Sequence, residues 1–139
     1  MECTKKDTAA PKERSEMPKD YSIIRTEDLT TVRFSKTISS DKIRNAIDDV
    51  AENSPTKLRL WDLTTVSYTL NAREIKILAE YGKSKPFPPS KVALIAPADW
   101  VFGLARMFEI YRKDQVAEHR VFRTEEEALV WLGIEENTQ

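Results

Sequence analysis

One cysteine, one histidine and three glycines in 139 residues remove several classes of function at once. Cys3 has no second cysteine with which to form an intrachain disulfide, which fits a reducing compartment. His119 and Cys3 together fall short of the nitrogen and sulfur ligands that a zinc site needs. Glycine stands only at 82, 103 and 133, so no phosphate-cradling loop of the P-loop or dinucleotide type is available. The 22 basic and 23 acidic residues leave a net charge of -1, without the basic excess that nucleic-acid binding takes. No apolar run nears the ~18 residues of a membrane span. What remains is a cytoplasmic globular domain: 40% apolar and 32% charged residues, with length enough for one substantial core.

Residues 1–19 differ from the rest. They hold two prolines and mixed charges, with no aromatic residue and no Leu, Ile or Val. Such a segment buries too little surface to offset its ordering entropy and is expected to be a disordered tail. No apolar region precedes Cys3 that would mark it for lipidation, so it reads as a free thiol on that tail. The domain is expected over 20–135, with 136–139 as a short C-terminal tail.

From Tyr21 the pattern is regular. YSIIRT (21–26) and LTTVRFSK (29–36) read as strands joined at Glu27-Asp28 into an antiparallel hairpin. SSDKIRNAIDDVAEN (39–53) is a helix capped by Ser39 or Ser40, with Ile43, Ala46, Ile47 and Val50 on one face. KLRLWDL (57–63) is a strand and TTVSYTL a loop; Asn71 then caps a helix over 72–84 whose inner face holds Ile75, Leu78, Ala79 and Gly82. KPFPP is a stiff connector. KVALIAP (91–97) has the look of a strand buried on both faces. The helix DWVFGLARMFEIYRKD (99–114) opens on an Asp expected to cap it, AEHRVFR alternates as a strand, and TEEEALVWLG is a capped helix ending at Gly133. Strands alternating with helices imply crossovers and a mostly parallel sheet.

Reaction centres are hard to assemble from these residues. His119 lies in a strand pattern with no evident triad partner. Glu125, Glu126 and Glu127 form the first turn of a helix, where acids suit the dipole, and do not gather as a hard-cation site. Asp62, at a strand's C-terminal end, is the one lone acid worth weighing, and such an acid more often bonds the turn after it. No cofactor is implied.

The order β-β-α-β-α-β-α-β-α, with the residues that fill it, resembles the STAS domain family of anti-sigma-factor antagonists, and its SpoIIAA-like branch in particular. Two stretches carry the resemblance: LRLWDLTTVSYTLNAREIKIL (58–78), and KVALIAP-ADWVFGLARMFE with VFRTEEEALVWL. It implies an α/β superhelix with a mixed, mostly parallel five-stranded sheet and four main helices, largely on one side. It also implies a place for the phosphorylated Ser of the anti-sigma switch. That place falls on Asn71, which has no hydroxyl, so the familiar kinase-driven switch is not expected here. Thr65, Ser67 and Thr69 are nearby hydroxyls of no special standing. CRAL-TRIO lipid carriers are similar in fold, an analogy only.

Apolar surface in excess of what packing needs marks the candidate binding residues. In the third helix Val101, Leu104, Ala105, Phe108 and Tyr111 suffice to pack on the sheet. Trp100, Gly103, Met107 and Ile110 form a second stripe, with Phe102 and Arg106 beside it. This suits packing against neighbouring helices or, alternatively, a groove or self-association surface in which Arg106 anchors an anion or an acidic partner. In KLRLW, Trp61 and Arg59 alternate with Leu58 and Leu60; if helices cover one side only, Trp61 is partly exposed, flanked by Arg59 and Arg33. A third place is the mouth beyond the carboxyl ends of the strands, from Asp62 to Asn71, with Pro97–Trp100 and Arg123-Thr124. The first reading is a non-enzymatic regulatory or interaction module that binds a protein partner or forms a homodimer. The second is a carrier or sensor of an apolar or amphipathic small molecule, and the third an enzyme using Asp62. Neither nucleic acid nor a membrane span enters any of them.

Overall fold

A computed structural model describes residues 21–37, 39–53, 56–67, 70–113 and 117–134. The expected tails, 1–19 and 136–139, and Thr69 lie outside them. The elements are β1 (Tyr21–Thr26), β2 (Leu29–Thr37), α1 (Ser40–Glu52), β3 (Leu58–Ser67), α2 (Ala72–Lys83), β4 (Ser90–Ile95), α3 (Asp99–Tyr111), β5 (Ala117–Phe122) and α4 (Glu125–Leu132). They form the five-stranded mixed sheet and four helices expected from the sequence. The strand order is β1-β2-β3-β4-β5, antiparallel between β1 and β2 and parallel elsewhere. Glu27, at φ 35°, makes the tight hairpin turn.

Strand order explains where the helices go. With the sheet growing in one direction from β2 to β5, crossovers of one hand set each connecting helix on the same face. Accordingly α1, α2 and α3 pack on the face that carries Val32, Phe34, Trp61, Leu94 and Val121. Among the described residues no strand follows α4. It covers the opposite face, where Ala128 and Leu132 meet Leu60, Ala93 and Ile95.

Local chemistry fixes the helix ends. Ser39 accepts from the Lys42 N–H to cap α1. Asn71 caps α2 in a reciprocal box, its side chain taking the Glu74 N–H while Glu74 Oε1 takes the Asn71 N–H, each at 2.9 Å. Thr124 caps α4, and Gly133 closes it at φ 81°, a left-handed position where a Cβ is costly. Asp99 is a departure from expectation: the cap of α3 is Ala98, with no side-chain bond, and Asp99 is the first helical residue. Its carboxylate takes a 2.7 Å bond from Arg123 instead.

β3 also runs further than its apolar pattern suggests. Its pairing with β2 slips between Arg33 and Ser35, where one extra residue of β3 is accommodated as a bulge. Beyond the bulge Thr65, Val66 and Ser67 continue the ladder, so a segment expected to be loop is strand. The slip reverses the alternation, and Val66 returns to the helix-covered face on which Trp61 and Leu63 lie.

Candidate functional site

Between that face and α1–α3 lies a cavity of about 90 Å³. Arg59, Trp61, Leu63 and Val66 form its floor along β3, flanked by Phe34, Val92 and Leu94. Ile43 and Ile47 of α1, Ile75 and Leu78 of α2, and Leu104 and Phe108 of α3 supply the walls. Arg59, Arg112, Leu78 and Val92 are buried at one end, where Phe87 and His119 are half-buried, as are Leu63, Val66 and Leu104 at the other. Phe34 stacks on Trp61 with ring centroids 5.7 Å apart, and Phe108 meets His119 edge-on at 5.8 Å. The volume holds roughly six to nine waters, less than a drug-sized ligand site. The surroundings are apolar except at the Arg59 end.

There two guanidinium groups enter. Arg59 is 2% exposed. Its Nη1 donates to the Thr56 carbonyl at 2.9 Å and its Nη2 to Ser90 Oγ at 2.7 Å, both neutral acceptors. The guanidinium lies 4.3 Å from the centroid of the Phe87 ring. Arg112, at the C-cap of α3, is buried too, and its side chain runs inward against α2. Burial, and secondly the Arg112 charge, push the Arg59 pKa down to about 10, so it stays charged at neutral pH. Gly82 is the fitting that admits Arg112: a Cβ there would lie 2.2 Å from Arg112 Nη1. Among the described residues no Asp or Glu lines this cavity.

The helix roof is tied at its outer edge. Tyr81 Oη of α2 donates to Asp48 Oδ1 of α1 at 2.5 Å, and Lys85 Nζ reaches the same oxygen at 2.8 Å. The Lys85 bond first, then that from Tyr81, holds the Asp48 carboxyl below the usual carboxylate range.

The residues singled out from the sequence divide between three places. Trp61 and Arg59 share the covered face, so they line the cavity and do not flank an open sheet surface; Arg33 lies on the other face. Arg33 bonds the largely buried Asp62 and sits 3.6 Å from Glu125 at the start of α4. Asp62 also accepts the Thr64 N–H at 2.9 Å, so it serves the bulge and an ion pair and is remote from the cavity. On α3, Met107 packs against the core with Leu104, Phe108 and Tyr111. Trp100, Gly103 and Ile110 face outward, and the exposed Arg106 bonds Glu109 one turn on at 3.1 Å. Phe102 is half-buried under Arg123, whose guanidinium lies 4.0 Å from its ring. Asn71 is spent on its capping box, and Thr65 Oγ1 donates to the Phe34 carbonyl at 2.9 Å.

Arg112 is the site residue that sequence reasoning missed. A basic residue after a helix suits the dipole of its C-terminus, and that reading hides a side chain turned inward. The inward-facing Gly82 was the available signal, since a glycine on a helix's buried stripe leaves room for a neighbour. Among the described residues no three His, Cys, Asp or Glu side chains gather to hold a metal. No described helix is long and apolar enough to cross a membrane.

No family profile matches the sequence, and no curated protein matches it in sequence. Solved structures match it in fold. An anti-sigma factor antagonist from Mycobacterium paratuberculosis superposes with a TM-score of 0.53 at 20% identity, over 81% of this chain and 92% of that one. An uncharacterized protein of the DUF3478 family from Shewanella loihica, described as having a SpoIIAA-like fold, superposes with a TM-score of 0.51 at 18% identity, over 81% and 91%. The chain therefore has the SpoIIAA-like fold that the sequence resembles.

Proposed function

We propose that this domain is a non-enzymatic binding module that holds a small apolar or amphipathic molecule between its sheet and α1–α3. The observation that carries the reading is the cavity itself: space walled by Trp61, Leu63, Val66, Leu104 and Phe108 in the place where a close-packed core is expected. Interiors of this size normally fill with side chains, and a void forfeits contacts on every wall. A ligand restores those contacts, at about 0.8 kcal/mol for each methylene buried. Regulation enters through the roof, because a ligand that braces α1–α3 alters the surface they present.

A second reading, association through α3, is favoured by one observation. Trp100 and Ile110 are 46% and 59% exposed on its outer side. The stripe is narrower than the sequence suggests, however, since Met107 is partly taken up by the core.

Titration with the neutral fluorophore N-phenyl-1-naphthylamine separates the two. Saturable one-to-one binding, weakened in an Ala105→Leu variant that fills the cavity, is the expected result. Absence of binding, together with a concentration-dependent dimer broken by Trp100→Glu, contradicts the cavity reading.

A further inference from the structure

The cavity's two ends differ in chemistry, and that difference points to the ligand. We propose that the ligand is a medium-chain carboxylate, its headgroup gripped by Arg59 beside Arg112 and its tail lying along Trp61 toward Leu63. This rests on the cavity being a ligand site.

Arg59 supplies the main argument. A buried cation is normally matched by a carboxylate, because desolvating it alone costs several kcal/mol. Its bonding partners here are a backbone carbonyl and a serine hydroxyl, and among the described residues it has no acidic one. Those two bonds use two of the five N–H donors of the guanidinium, which leaves donors for an anion. Arg112 adds a second positive charge at the same end, close enough to depress the Arg59 pKa. A carboxylate is the anion whose fork geometry a guanidinium matches, and its charge-assisted bonds exceed those of a hydroxyl. An alcohol leaves the Arg59 charge uncompensated.

The tail is set by the floor. From Arg59 to Leu63 the strand advances roughly 13 Å, about the reach of an extended eight-carbon carboxylate. The polar lining residues, Arg59, Arg112 and His119, leave the Leu63–Val66 end wholly apolar. The cavity volume suits a chain of about eight carbons, comparable to the waters it would hold. No bond is made or broken in this binding.

The test compares octanoate with 1-octanol as competitors for bound N-phenyl-1-naphthylamine on the full chain. The wild type is expected to prefer octanoate by about tenfold or more. Arg59→Met is expected to abolish that preference while still binding the neutral fluorophore. Gly82→Ala is the second variant: its Cβ displaces the far end of the Arg112 side chain, and it is expected to reduce the preference in a folded protein. Fluorophore binding with equal affinities for the two competitors, or with a preference that survives Arg59→Met, overturns the carboxylate while leaving the cavity reading intact. A protein that binds neither the fluorophore nor octanoate overturns both.

Discussion

Arg59 is the residue on which stability and function pull against each other. Its folded pKa of about 10 lies below the ordinary arginine value, so between these values the folded chain binds fewer protons than the unfolded one. Stability of the empty protein therefore rises as pH climbs through that window. Below pH 10 the charge costs its full amount, on the order of 3 kcal/mol. Arg59→Met is predicted to raise the urea midpoint of ligand-free protein at pH 8, with an advantage that narrows by pH 10.5. A variant less stable than wild type at pH 8 would contradict the cost assigned to this charge. Asn71 makes a simpler case: Asn71→Ala removes one bond of the capping box and should cost about 1 kcal/mol in urea unfolding. The sequence placed Arg59 and Trp61 on a shared face correctly, because alternation along a strand does that. Alternation does not say which face receives three helices: Trp61 is partly exposed as expected, but on the helix-covered face, and Arg33 lies on the other.

The elements were largely legible, since each announces itself by period and cap: Ser39, Asn71, Thr124 and Gly133 all stand where the helix ends require them. The extension of β3 was not, because Thr64 and Thr65 look like turn residues until a bulge and the β2 ladder pair them. Nor was the siding of α4, which packs on the face opposite the other three helices. That siding has a measurable consequence. Leu132→Ala should cost about 2–5 kcal/mol in urea unfolding, because Leu132 is buried between α4 and the sheet. Below the unfolding transition it should leave fluorophore affinity unchanged, since the cavity is across the sheet; a change in affinity would show that the two faces are coupled. On the roof, Asp48 ties α1 to α2, and its lowered pKa makes the tie fully present above the ordinary Asp value and lost as pH falls through the folded one. Both partners are partly exposed, so Asp48→Asn should cost no more than about 1 kcal/mol by thermal unfolding at pH 7, and less still at pH 3.

For the whole molecule, the family resemblance fixed the architecture and left the occupant open. Sheet, crossovers and helix count follow from patterning that any member of the fold must satisfy. The cavity does not, because it arises where summed side-chain volumes fall short of the space between layers, and no local pattern records such a sum. Residues read as interface anchors proved to be divided among cavity, core and surface for the same reason. The measurement that bears most directly on the domain as a ligand-binding module is native mass spectrometry of the full chain freshly purified from its own cells. A monomer carrying one added mass of at most a few hundred daltons, released on unfolding, is the predicted result. A dimer without added mass, from protein that also fails to take up the neutral fluorophore, would contradict it.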